Sequence, residues 1–121
     1  MDIKNTHGVK RVCNATRYSW QGLKAAFRCE PAFREEIFLA AVMLPLAFFV
    51  AEAQLDRILL IATVVLVLVA ELFNSAIEAV VDRIGLEKHE LSGRAKDLGS
   101  AAVMLTMLLT LYVWTDVLFF K

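Results

Sequence analysis

The run ILLIATVVLVLVA, from Ile58 to Ala70, holds thirteen residues without a charge, and it continues directly into ELFNSAIEAVVD, which carries three acids and an amide. Read as one helix from Ile58 to Asp82, the stretch rises about 37 Å, against roughly 30 Å for the hydrocarbon core of a bilayer. The acid-bearing end is therefore expected to reach toward one interface. At 100° per residue, Glu71, Asn74, Ser75, Glu78 and Asp82 fall within a band of about 100°. Leu72, Phe73, Ile77, Val80 and Val81 occupy the other face. One side of this helix can meet lipid while the acid stripe meets protein or water.

Two further apolar runs accompany it. Ile37 to Ala51 is uncharged, preceded by CEPAFREE and closed by Glu52. Including the turn of Phe33 brings this first run to spanning length, with Glu35 and Glu36 at a headgroup or inward-facing position. Pro31 suits the first turn of a helix, and Pro45 predicts a kink within it. The last run, Leu98 to Thr115, is uncharged for eighteen residues, and Tyr112, Trp114 and Phe119 near its end suggest an aromatic belt. EAQLDR reads as a short hairpin, and DRIGLEKHELSGRAKDLG as a polar loop with Gly85 and Gly93 as breakers.

Ahead of the first span, residues 1–7 read as a polar tail. Val9 to Arg28 has helical periodicity, with Val9, Val12, Cys13, Thr16, Trp20, Leu23 and Phe27 on one side and Lys10, Asn14, Arg17, Gln21, Lys24 and Arg28 on the other. No acid lies between Asp2 and Glu30. A basic amphipathic helix with a tryptophan on its apolar face is expected to lie in a membrane interface. The expected fold is therefore all-α and membrane-integral: residues 1–28 form tail and surface helix, and residues 29–121 a domain of three transmembrane helices. The two together make one functional unit.

Composition agrees, at 59% hydrophobic and a mean hydropathy of +0.60. Thirteen basic and thirteen acidic residues cancel, so no nucleic-acid partner is expected. They are unevenly placed. Eleven Lys and Arg lie before the first span or in the polar loop, against Arg57 and Lys121 on the other side. The positive-inside rule puts the N-terminus and the long loop in the cytoplasm. Cys13 and Cys29 have neither metal-site spacing nor a partner motif and read as free thiols, and no cleavable signal peptide is visible.

Ionisable groups at membrane depth are costly and usually functional. The acid stripe could bind a divalent cation at phosphates, relay protons, or bond to neighbouring helices. Two functions outside catalysis follow from the last two: a small proton-coupled transporter and a non-catalytic membrane adaptor. No Walker A and no G-x-G-x-x-G loop is present.

The motifs ELFNSAIEAVVDRIG and HELSGRAKDLGSAAV, with upstream YSWQGLKAAF and EPAFREE at matching spacing, resemble the signature of the prokaryotic diacylglycerol kinases, small integral membrane lipid kinases. The likeness covers about residues 10 to 115. It implies a homotrimeric bundle in the bacterial inner membrane. It also implies Mg²⁺-dependent transfer of the ATP γ-phosphate to diacylglycerol, giving phosphatidic acid. Carried over by motif, Glu71 is the implied catalytic base, and Glu30 and Glu78 the implied metal ligands. Arg11, Tyr18, Glu30, Glu78, Glu87, Lys88, His89, Lys96 and Asp97 are the implied ATP contacts. Asn74 would support the base, Glu36 would lie near the lipid, and Ser19 and Trp20 would line the lipid pocket. Asp82 receives no role. Arg17 and Glu35 depart from the usual pattern, where a small residue and a glutamine are expected. Some relatives of the family phosphorylate undecaprenol instead; ELFNSAIE and RYSWQGL are closer to the diacylglycerol-using branch.

Overall fold

The computed structural model describes residues 7–120, so the tail before His7 and Lys121 lie outside the described residues. Four helices follow one another: α1 (Gly8–Cys29), α2 (Pro31–Val50), α3 (Gln54–Ile84) and α4 (Glu90–Phe119). At 1.5 Å per residue α3 and α4 are each about 45 Å long, well beyond the hydrocarbon thickness. By length and apolarity these two can each cross a bilayer. Helix α2 has 20 residues, and Arg34, Glu35 and Glu36 crowd its first turns.

Helix α3 is central, packed on α2 along one side and α4 along another, while α1 packs lightly on α2. The tightest packing is at the end of the bundle away from the acid stripe. Ala47 and Leu60 are wholly buried there, with Ala40, Ala51, Val64, Trp114 and Val117 around them. Small alanines let the backbones approach, as expected where packing rather than water exclusion drives association. Two bonds cross from α4 to α3 in this layer: Trp114 Nε1 donates to the Leu60 carbonyl at 3.3 Å, and Thr110 Oγ1 to that of Thr63 at 3.2 Å. Trp114 is therefore a core residue and not part of an aromatic belt; Tyr112 and Phe119 remain exposed. The indole N–H needs an acceptor, and the Leu60 carbonyl supplies one inside the bundle.

The helix boundaries correct the expected loops. Helix α4 begins at Glu90, eight residues before the uncharged run, so the connection shrinks to Gly85–His89 and Gly93 lies inside a helix. Arg94, Ala95 and Lys96 favour helix intrinsically. His89 Nδ1 caps the start by accepting from the Leu91 N–H at 3.1 Å, and Glu90 pairs with Arg94 at 3.4 Å. Lys96 and Asp97 are thus helical, not loop, residues. At the other end α3 begins at Gln54, so the hairpin reduces to residues 51–53 and Asp56 is buried in the first turn, where the helix dipole favours an acid. Pro45 sits inside α2, which continues through it and leaves the Ala41 carbonyl without its usual donor.

The amphipathic α1 ends in a sharp elbow. Glu30, in extended conformation, is at once the end of α1 and the cap of α2, with Pro31 opening α2. Arg34 reaches back from α2 and donates through Nη1 to the carbonyls of Phe27 at 2.8 Å and Arg28 at 3.3 Å. These are carbonyls that α1 cannot satisfy at its own terminus. Val9, Val12 and Trp20 are largely exposed, so the apolar face of α1 is not covered by the rest of the chain. Cys13 and Cys29 are free and exposed.

Candidate active site

The acid stripe keeps its helical order, but each acid meets a different neighbour. Glu71 is buried at 7% exposure, deepest in the bundle of the three. Glu36 on α2 is its acidic neighbour. Glu36 Oε2 is buried without a donor. Two carboxylates facing one another require a proton, a cation or a hydroxyl donor between them. Glu36 also closes one end of an apolar groove of about 280 Å³, lined by Leu39, Met43, Val64, Leu68 and Trp114.

One turn on, Asn74 Nδ2 donates to Glu78 Oε1 at 3.4 Å, and both side chains are half-buried. Asn74 Oδ1 is buried and accepts nothing. One more turn on, Asp82 pairs with Lys96 of α4, Nζ to Oδ1 at 2.8 Å. Asp82, left without a role by sequence, is thus a link between α3 and α4. Glu71 and Glu78 are seven residues apart, about 10 Å along the axis.

Around Asp82 and Lys96 lies an open cavity of about 500 Å³, also lined by Glu87, Lys88, His89 and Ser92. Of the expected nucleotide contacts, Glu87, Lys88, His89 and Lys96 gather here. Asp97 is exposed on α4 and Arg11 exposed on α1. Tyr18 is exposed with the Arg17 guanidinium 5.3 Å above its ring. Neither Arg11 nor Tyr18 lines this cavity. His89 is occupied as the α4 cap.

Glu30 opens on a separate groove of about 640 Å³ between α1 and α3, with Ser19 and Ala26 on one wall and Ser75, Ala76 and Ala79 on the other. That wall of α3 is the turn carrying Glu78. Trp20 borders a neighbouring recess with Phe27 and Phe33, the Lys24 ammonium 5.9 Å from its ring.

Among the described residues no three His, Cys, Asp or Glu side chains converge as a metal cage. A hard divalent cation that arrives on phosphates needs no such cage: one or two carboxylates suffice, with phosphate oxygens and water completing the shell. Glu30 and Glu78 are the right donors for that, and the hydrogen bond from Asn74 gives Glu78 an outer partner. As donor types these carboxylates suit Mg²⁺ carried by a nucleotide, but Glu78 does not line the groove on which Glu30 opens.

Sequence reading found the stripe because i and i+4 positions share a face. It missed Asp82–Lys96, whose partners lie on different helices, and Arg34, whose acceptors are backbone carbonyls. It also missed Gly99 of α4, which is buried against Asn74. The available signal for Gly99 was a lone glycine interrupting a helical run.

The profile of the prokaryotic diacylglycerol kinases matches residues 17–118. The chain is 54% identical over 115 residues to the diacylglycerol kinase of Haemophilus influenzae, covering 95% of this chain and 98% of that one. Identity is 49% over 110 residues with the Escherichia coli K12 diacylglycerol kinase, covering 91% and 90%. It is 47% over 116 residues with that of Pseudomonas aeruginosa, covering 96% and 94%.

Proposed function

The chain belongs to the prokaryotic diacylglycerol kinase family, and from that premise we propose that it is a membrane phosphotransferase moving the γ-phosphate of ATP to the primary hydroxyl of diacylglycerol. The observation that carries this reading is the α3 stripe, where a buried Glu71 and a half-buried Glu78 lie two turns apart on one face.

In this reading Glu71 accepts the proton of the lipid hydroxyl. The hydroxyl enters beside Glu36, whose buried Oε2 has no donor, and gives its proton to Glu71. The apolar groove ending at Glu36 takes part of an acyl chain. Glu30 and Glu78 would hold the Mg²⁺, which would supply neutralisation of charge on the phosphates. Lys96, Lys88 and the rest of the open cavity take the nucleotide, with Glu87 and His89 at its wall. Arg11, Tyr18 and Asp97, none of which lines that cavity, would contact the nucleotide from outside it, and Ser19 and Trp20 border the lipid path. Phosphoryl transfer asks little covalent chemistry of a protein; positioning and charge stabilisation carry it. The 10 Å separation puts the base toward the lipid and the metal ligand toward ATP.

Helix α2 serves as a third span alongside α3 and α4, with α1 in the interface at the inner face of the bacterial inner membrane. N-terminus and α3–α4 connection are cytoplasmic, as the Lys and Arg distribution favours. A homotrimer is the assembly this family membership suggests, and the apolar flanks of α2 and α3 give neighbouring copies a surface. Protein purified in mixed micelles with Mg-ATP is offered diacylglycerol and undecaprenol together. Label on phosphatidic acid supports the proposal; label on undecaprenyl phosphate, or on neither, refutes it.

A further inference from the structure

At one crossing of α3 and α4 the Asn74 amide is held between two neighbours. Its Nδ2 donates to Glu78 Oε1 at 3.4 Å, and its Oδ1 is buried with no donor. On the Oδ1 side stands Gly99, itself buried. A Cβ added at Gly99 would collide with Asn74 Oδ1 and stand 3.3 Å from Asn74 Cγ, whereas the next neighbour, Ile77 Cδ1, would be at an ordinary 3.6 Å. What a side chain at position 99 would displace is therefore the amide of Asn74, not the backbone of α3.

We infer that Gly99 is a positioning residue for phosphoryl transfer: its bare backbone lets Asn74 lie flat against α4 in the orientation that donates to Glu78. This rests on the kinase reading, with Glu78 as metal ligand. An asparagine has several rotamers, and at membrane depth it will seek any available partner. The backbone of α4 closes off the Oδ1 side, so the amide keeps its N–H pointed at the carboxylate. Outer-shell hydrogen bonds of this kind orient a ligand carboxylate and are worth roughly 10–100-fold in metal affinity or activity. A glycine that only allowed close helix approach would behave differently: an added methyl would cost stability whatever residue stood at 74.

The test is a double-mutant cycle on the full chain in detergent micelles: wild type, Gly99→Ala, Asn74→Ala and the pair. Three quantities are read: kcat with the Mg²⁺ concentration for half-maximal rate, thermal unfolding, and the Asn74 side-chain NH₂ resonance, assigned by its loss in Asn74→Ala. Gly99→Ala is expected to lower kcat or raise the Mg²⁺ requirement by roughly 10–100-fold, and to move the Asn74 resonance. With Asn74→Ala already present, Gly99→Ala is expected to add nothing, because the new methyl has room. An unmoved Asn74 resonance, or a loss from Gly99→Ala that is equal in both backgrounds, overturns the inference. If Gly99→Ala alone fails to assemble, the double variant must assemble; its failure also overturns it. A wild type that transfers no phosphate refutes the kinase reading instead, and the Asn74 resonance then decides the geometry alone.

Discussion

Helix α3 meets α4 in two different ways at its two ends. Near Leu60 and Thr63 the polar groups of α4 bond to backbone carbonyls, and the side chains between are buried and apolar. Near Asp82 the link to α4 is an ion pair between side chains, Asn74 bonds to Glu78 within α3, and two buried polar atoms, Asn74 Oδ1 and Glu36 Oε2 of the adjoining α2, have no hydrogen-bond partner. Buried polar groups are nearly always satisfied in native proteins, and exceptions call for an explanation. The difference teaches a division of labour within one helix. The satisfied end holds the bundle together. The unsatisfied end is the one that carries the acid stripe.

The contrast is sharpest at Glu71. Glu71→Gln keeps the shape and removes the proposed base, so kcat is expected to fall by about 10²–10⁴-fold, while size-exclusion profiles stay those of the wild type. A fall below tenfold would remove Glu71 from the chemistry. Next is the pair at the inner end. Lys96→Met is expected to raise the KM for ATP about tenfold, close to 1.4 kcal/mol, read by steady-state kinetics at varied ATP. Its effect on stability should be small, since the Lys96 and Asp82 side chains are about half-exposed (42% and 49%) and such pairs contribute about 0–1 kcal/mol. A large loss of stability with an unchanged KM would move this pair to the structural side. The smallest effects belong to the outer end. Trp114→Phe and Thr110→Val each remove one interhelical bond, worth about 0.6 kcal/mol on average in a membrane. Unfolding in mixed micelles should register that loss while activity stays within about twofold; a collapse of activity would blur the two ends into one.

How far the sequence could be read follows the same line. Residues on one helix face were legible: the spacing of Glu71, Asn74 and Glu78 places them together, and the structure links the last two. The amphipathic α1 and the free cysteines were legible for the same local reasons. Contacts between helices were not. Asp82 found its partner fourteen residues away, on the far side of a chain reversal. Trp114 near the end of an apolar run suits a belt or a core equally, and the Leu60 carbonyl on another helix decides it. The start of α4 was misplaced because charges were read as loop, whereas a helix emerging from a bilayer turns polar without ending.

The most direct measurement compares wild type and Glu78→Gln, both purified as assembled protein, for transfer of γ-³²P from Mg-ATP to diacylglycerol in the same mixed micelles. The account predicts labelled phosphatidic acid from the wild type and a rate at least about 100-fold lower from the variant, because even outer-shell partners of a metal are worth roughly 10–100-fold. Equal labelling by the two proteins would contradict it.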